Sequence, residues 1–284
     1  MGMVNVKVNV KTQDKGYALV LVLWLITLLS LVTAMSYNAA RVQMRLTYLA
    51  NSQLEGEALA EAGIWLSVNT LLSTSSNNLG RYTNYTGNLQ YHQSDISVSI
   101  RDLASLINLN NANAELLELL ITPYTESSQE TETLIQNIRD WIDSDNDSQN
   151  NSSEERLYSL ADLDYSPMNK PFSSVDELRL VIGMTDALFR NISPFLTIYG
   201  THTQINSQSA EPVLLELLNN ESSDNNSIQR YLTTLPSNAF IVTSTATING
   251  NDFSQTVIIE LTGRRADSYR ILAWQPSELI KKNS

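Results

Sequence analysis

Asp143, Asp145 and Asp147 alternate with Ser and Asn, and Glu154 closes the run Asp143-Ser-Asp145-Asn-Asp147-Ser-Gln149-Asn-Asn151-Ser-Ser-Glu154. Acids at positions 1, 3, 5 and 12 of a loop bring alternate oxygens onto one cation, and the late glutamate can add two more oxygens. That is the spacing of an EF-hand. Its sixth position calls for glycine and here is Ser148, and no clear helix start follows directly. A different calcium loop built from the same oxygens is therefore the expectation. Oxygen-only donors favour Ca²⁺ over zinc or copper. The plainer alternative is a solvated acidic loop, although three closely spaced aspartates repel one another unless a cation or solvent screens them.

Other chemistries are poorly supplied. The 284 residues include no Cys, which removes thiolate zinc sites, iron–sulfur clusters, disulfides and a Cys nucleophile. His92 and His202 stand alone, which is poor material for a His-based triad or a His-rich metal site. No Gly-rich phosphate loop, H-E-x-x-H or G-x-S-x-G occurs, and the carboxylates cluster in one polar loop rather than around a cleft, so no enzyme is expected. With 18 basic and 30 acidic residues the net charge is −12, which argues against a broad nucleic-acid surface. Residues 126–164 hold eleven acids against Arg139 and Arg156, a net −9, so the acidity is mostly local.

The loop must hang from a helix before it, where Leu134, Ile138, Trp141 and Ile142 share one face. Residues 17–36, YALVLVLWLITLLSLVTAMS, carry no charge and are long enough to span a bilayer as a helix. The leader before them holds Lys7, Lys11, Lys15 and Asp14, a net +2, which places the leader in the cytoplasm and the bulk of the chain outside. Arg41 and Arg45 weaken that asymmetry. Apolar residues continue at helical spacing through Val42, Leu46, Leu49, Leu54, Ala58, Ala62, Trp65, Leu66 and Leu72, with no Pro from 17 to 72. One long helix is predicted, greasy all round in its first half and amphipathic in its second.

A polar linker over 73–88 is followed by strand-like alternation over 89–101, with a hairpin turn near Gln93-Ser94. Residues 112–236 read as helices with polar loops. Residues 239–275 return to β, with AFIVTSTATI, SQTVIIEL and SYRILAW pairing antiparallel and Asn249-Gly250 as a hairpin signal. This order predicts an α+β fold: a small antiparallel sheet with a large all-α domain inserted among its strands. INLNNANAELLELL (107–120) and INSQSAEPVLLELL (205–218) echo each other, each a polar cap before an apolar-rich helix. SSVDELRLVIGM (173–184) reads as a Ser-capped short helix ending at Gly183. With NLN-x-A-x-x-x-L it is similar to helix-hairpin-helix DNA-binding segments. The surrounding Asp176, Glu177 and Asp186 make the local charge wrong for DNA.

The junction QDKG|YALVLVLWLITLLSLV resembles the type III signal of type IV prepilins and pseudopilins. That resemblance implies cleavage between Gly16 and Tyr17 by a prepilin peptidase, with the apolar helix kept. Most of the family has Glu at the fifth mature position, where this chain has Leu21. Protein K of the type II secretion system shares that departure. The strings INLNNANAELLELL, IRDWIDSDND, SEERLY, MNKPFSSVDELRLVIGM, ISPFLTIY, INSQSAEPVLLELL and the closing strands resemble protein K in the same order.

The resemblance implies a minor pseudopilin at the pseudopilus tip that helps to start assembly, in the bacterial inner membrane with its bulk in the periplasm. It implies proteins I and J as partners, along with inner-membrane lipid and in places secreted substrates. It implies five segments: leader 1–16, long helix 17–73, first sheet part 74–107, inserted α-domain 108–238, and closing strands 239–284. Protein K's α-domain binds calcium, so the resemblance points to Asp143, Asp145, Asp147, Glu154 and Glu155, with Asn169 as a further ligand. The Gly usual before the family's acidic pair is absent here. Rival readings are a bitopic periplasmic binding or sensor protein with an uncut anchor, and a minor pilin of a type IV or DNA-uptake filament.

Overall fold

The computed structural model describes residues 15–91, 94–143, 154–221, 228–263 and 268–280. The chain divides into two compact units, residues 1–55 and 56–284. Helix α1 (Lys15–Ser73) begins in the first and ends in the second. In the first unit its side chains from Tyr17 to Met35 are exposed on every face. Among the described residues this is the one helix long and apolar enough to cross a membrane.

The second unit is built on an antiparallel sheet of five strands: β1 (Asn84–Tyr91), β2 (Ser94–Asp102), β7 (Ala239–Ile248), β8 (Asn251–Leu261) and β9 (Tyr269–Ile280). They lie side by side in the order β1-β2-β7-β8-β9. Period-2 alternation turns Ile96, Val98 and Ile100 of β2 to one face, with Phe240, Val242 and Ala246 of β7 and Phe253, Val257 and Ile259 of β8. That face packs on the last turns of α1 through Leu59, Ala60, Ile64, Val68 and Leu71. Gly56 and Gly63 let the sheet come close. A Cβ at Gly56 would strike the Phe253 ring, and one at Gly63 would strike Ser244 and Ile96.

The apolar positions read at helical spacing are not the ones buried in this core. Over residues 56–73, Ala58, Ala62, Trp65, Leu66 and Leu72 lie on the exposed side. Two apolar stripes run along the helix, and the sheet takes the one with glycines because backbone can approach there. Of the other stripe, Trp65 leans on Tyr269 and Trp274 of β9, with ring centroids 6.3 and 5.7 Å away, while Ala58, Ala62 and Leu66 stay exposed.

The 73–88 stretch is not a plain linker. A 3₁₀ turn over Ser76–Tyr82 leads straight into β1, whose polar residues suit an edge. Between β7 and β8, Asn249 (φ 52°) and Gly250 (φ 80°) make the tight turn expected of Asn-Gly.

Between β2 and β7 the chain leaves the sheet to form the inserted α-domain. It contains β3 (Ile107–Asn108), α2 (Ala114–Ile121), α3 (Ser128–Ile142), α4 (Glu154–Leu160), α5 (Asp186–Ile192), β4 (Leu196–Thr197), β5 (Ile205–Asn206), α6 (Pro212–Glu221) and β6 (Leu232–Thr233). Asn113, Ser127 and Thr185 cap α2, α3 and α5 by accepting from Leu116, Glu130 and Leu188 N–H. The helices share a core around Leu116, Leu120, Leu134, Ile138, Trp141 and Leu214. The 173–184 segment is a 3₁₀ turn (Val175–Leu180) capped by Ser174 rather than an α-helix, and Gly183 follows at φ 90°.

The internal echo is structural. In both copies the Ile-Asn pair is a two-residue strand paired parallel to a Leu-Thr pair, β3 with β4 and β5 with β6. Asn108 and Asn206 then make the same turn. Each side-chain oxygen accepts from the N–H two residues on at 3.0 Å, and each carbonyl accepts from the N–H of the residue four on.

Candidate functional site

The acidic loop runs between the end of α3 and the start of α4. α3 is amphipathic, so Leu134, Ile138 and Trp141 are buried and the helix axis is fixed up to Ile142. Asp143 follows as its C-terminal cap, with its N–H donating to the Arg139 carbonyl at 3.0 Å. α4 starts at Glu154. The expectation that no helix would follow directly is thus overturned. Two serines ahead of two glutamates are an N-terminal helix signature, and the Asn/Ser-rich context hid it.

The loop's two ends are tied together by rings. Trp141 of α3 lies 6.2 Å from Tyr158 of α4 and stacks on Phe172 at 6.0 Å with an interplanar angle of 7°. Tyr158 also meets Tyr165 edge-on at 5.7 Å. Asn110 holds the Phe172 backbone at both ends, donating to its carbonyl (3.1 Å) and accepting from its N–H (2.8 Å). A loop with fixed ends loses less entropy on ordering than a free one.

Among the described residues no group of three or more acidic or imidazole side chains converges. Asp145 and Asp147 lie outside the described residues. Glu154 and Glu155 open α4, and their side chains also lie outside the description. Asp143 and Asn169 are half-buried, with Asn169 in the left-handed region at φ 49°. Their Oδ1 atoms are both withdrawn from solvent. Asp140 adds a candidate that spacing arguments missed: it is buried, one helical turn before Asp143. It lies in α3 before the alternating run, so the spacing of that run gives no sign of it. An oxygen-only donor set of this kind fits a hard cation.

Tyr17 and Leu21 lie in the exposed apolar part of α1, and Gly16 is in its first turn. Sequence reasoning did not find the root of the insert. Asp102, fully buried at the end of β2, accepts from Ala104 N–H (3.0 Å), Asn206 Nδ2 (2.6 Å), Ser237 N–H (2.9 Å) and the Ser237 hydroxyl. It thereby joins the exit from the sheet, the second echo and the return to the sheet. Beside it, His202 Nε2–H donates to the Leu106 carbonyl at 3.0 Å, and its buried Nδ1 has no hydrogen-bond partner among the described residues. Burial pushes the imidazole below the ordinary histidine value, against opposing pulls from the Leu106 hydrogen bond and the Asp102 charge.

Residues 89–201 match the family model described as type II secretion system (T2SS), protein K. The chain is 27% identical over 226 residues to type II secretion system protein K of Klebsiella pneumoniae, covering 72% of this chain and 69% of that one. It is 27% identical over 117 residues to the protein of the same description from Pectobacterium carotovorum, 36% of each chain. In fold it resembles a chain of the GspK-GspI-GspJ complex from enterotoxigenic Escherichia coli, with a TM-score of 0.54 and 18% identity over 84% of this chain and 99% of that one.

Proposed function

We infer that this chain, which carries the protein K domain of the type II secretion system at residues 89–201, is a minor pseudopilin of that system. The observation that carries this reading is where the match falls. It begins within β1 and ends just past β4, so it spans the hairpin and most of the insert rather than the generic apolar helix.

Its work is assembly. The exposed stripe of Ala58, Ala62 and Leu66 gives α1 a surface for packing against other helices. The partners are the system's proteins I and J, as the solved relative's complex contains GspI and GspJ. The chain caps the pseudopilus tip and helps to begin its growth. The bulk of the insert favours a cap, and Leu21 offers no carboxylate to the amino terminus of a subunit above it. The leader is removed at Gly16–Tyr17, leaving the apolar helix in the inner membrane and the bulk in the periplasm. Co-expression with proteins I and J and pull-down from solubilised membranes tests this. A stable three-protein complex is expected, and its failure to form with all three present overturns the reading. Intact-mass measurement of the purified chain should give Tyr17 as first residue.

The loop from Asp143 to Glu154 binds calcium, held by Asp143, Asp145, Asp147, Glu154 and Glu155, with Asn169 as a further ligand and Asp140 one helical turn before Asp143. The ring-tied loop ends support this. Millimolar calcium should raise the Tm of the protein, and Asp145→Ala should remove most of the rise. Calorimetry without a binding signal at millimolar calcium overturns it.

A further inference from the structure

The two edges of the sheet are built differently. On β9, pairing to β8 shifts register twice, between Ser254 and Thr256 and between Ile258 and Ile259, and Pro276 lies within the strand. Bulges and proline are the usual means of blunting an edge. β1 has neither. It pairs with β2 through eight consecutive residues without a shift, and NYTGNLQY contains no charge and no proline. Its outer edge carries no strand among the described residues.

That edge also has a notch. Asn84, Thr86, Asn88 and Gln90 point to one face, while Tyr85, Gly87 and Leu89 share the other face with Val98 and Ile100, over α1. Gly87 breaks the apolar row, its own side-chain position being taken by the Tyr85 ring. A space of about 70 Å³ opens there, bounded by Leu66 and Thr70 of α1 and by Tyr85, Leu89 and Val98. Leu66 is 53% exposed, Tyr85 40% and Leu89 37%. The Tyr85 hydroxyl folds over Gly87, where a side chain would otherwise stand. Glycine in a strand marks a place where another chain can come close, and a residue directly opposite Gly87 on an added strand would project into the notch.

We propose that β1 is a docking strand, and that its open edge takes up an extended, uncharged segment of a neighbouring minor pseudopilin with an apolar side chain seated beside Gly87. This rests on the minor-pseudopilin reading. The edge itself selects the occupant: its outward N–H and C=O groups are matched only by extended main chain, and the lack of charge on β1 offers nothing to a charged segment. The notch lies next to the open stripe of α1 at Leu66, so one partner can contact both.

The test uses the full chain co-expressed with proteins I and J. A photo-crosslinking residue at Asn88 should join the chain to protein I or J. The double variant Thr86→Lys, Asn88→Lys puts charge on the edge at two exposed positions. It should weaken the complex roughly tenfold or more while leaving the thermal melt of the isolated chain in place. A complex of undiminished affinity, with no crosslink from position 88, overturns the docking strand and leaves the pseudopilin reading standing. A crosslink only to a second copy of this chain overturns it as well. Failure of the unaltered chain to form any complex removes the reading and the docking strand together.

Discussion

His202 keeps one ring nitrogen satisfied and buries the other beside the root of the insert. Protonation would place a second N–H, now charged, where no acceptor is described, and burial already holds the imidazole below its ordinary value. A base with a depressed folded pKa lets the unfolded chain take up the proton first. The stability it allows is therefore full above the unfolded value of roughly 6.5 and declines as pH falls through it. Urea unfolding at pH 7.5 and pH 5.5 should show a loss at the lower pH that is smaller in His202→Gln. An identical loss in both proteins would mean that other groups carry it. Residue-level legibility follows distance along the chain. The alternating acids of 143–154 stand out in the sequence because their spacing is local, though Asp145 and Asp147 lie outside the described residues. Asp102 does not stand out, because its donors come from residues 104, 206 and 237, and no local pattern announces their convergence.

Among elements, the strands and the hairpin at Asn249-Gly250 were legible because alternation and turn chemistry agree there. Helix α1 was legible as a helix, but its buried side was not. Counting apolar residues does not separate the stripe of Trp65 and Leu66 from that of Ile64 and Val68, whereas packing favours the one where Gly56 and Gly63 admit the sheet. Substituting the close-approach position tests this. Gly63→Leu should force the helix from Ser244 and Ile96 and cost about 1–3 kcal/mol or more in chemical unfolding. Ala62→Leu, one residue along on the exposed side, should cost little. Equal costs would mean that the sheet does not use the glycine face.

At the scale of the whole molecule, the insert begins and ends on neighbouring strands. Asp102, the last residue of β2, pairs with Phe240 near the start of β7. A two-residue turn, Asn-Gly, can join those positions directly. A chain in which that turn replaces residues 103–239 should keep a cooperative β-sheet melt. The melt should come at a lower temperature, because Asp102 loses its Asn206 and Ser237 donors and Ile258 loses the cover of Leu103. Circular dichroism following loss of helix and retention of the sheet would check it, and an uncooperative melt would show that the sheet depends on the insert. The order of sheet, helical block and sheet was legible from composition along the chain. The parallel Ile-Asn and Leu-Thr pairs were half legible, since the echo of 107–120 and 205–218 was visible and its two-residue partners were too short to notice.

Those matched pairs have a further consequence. Each pins the two ends of an arm, and the arms differ greatly in length: one runs from β3 to β4 and carries α2 through α5, the other from β5 to β6 and carries α6. The arms are not independent, since α2 of the longer one shares a core with α6 of the shorter through Leu116, Leu120, Leu214 and Leu218, and Tyr231 donates to Glu115 across them. The clasped ends and that shared core together make the insert one mechanical body, so loop residues of the longer arm can be gained or lost without loosening it only where they lie away from α2.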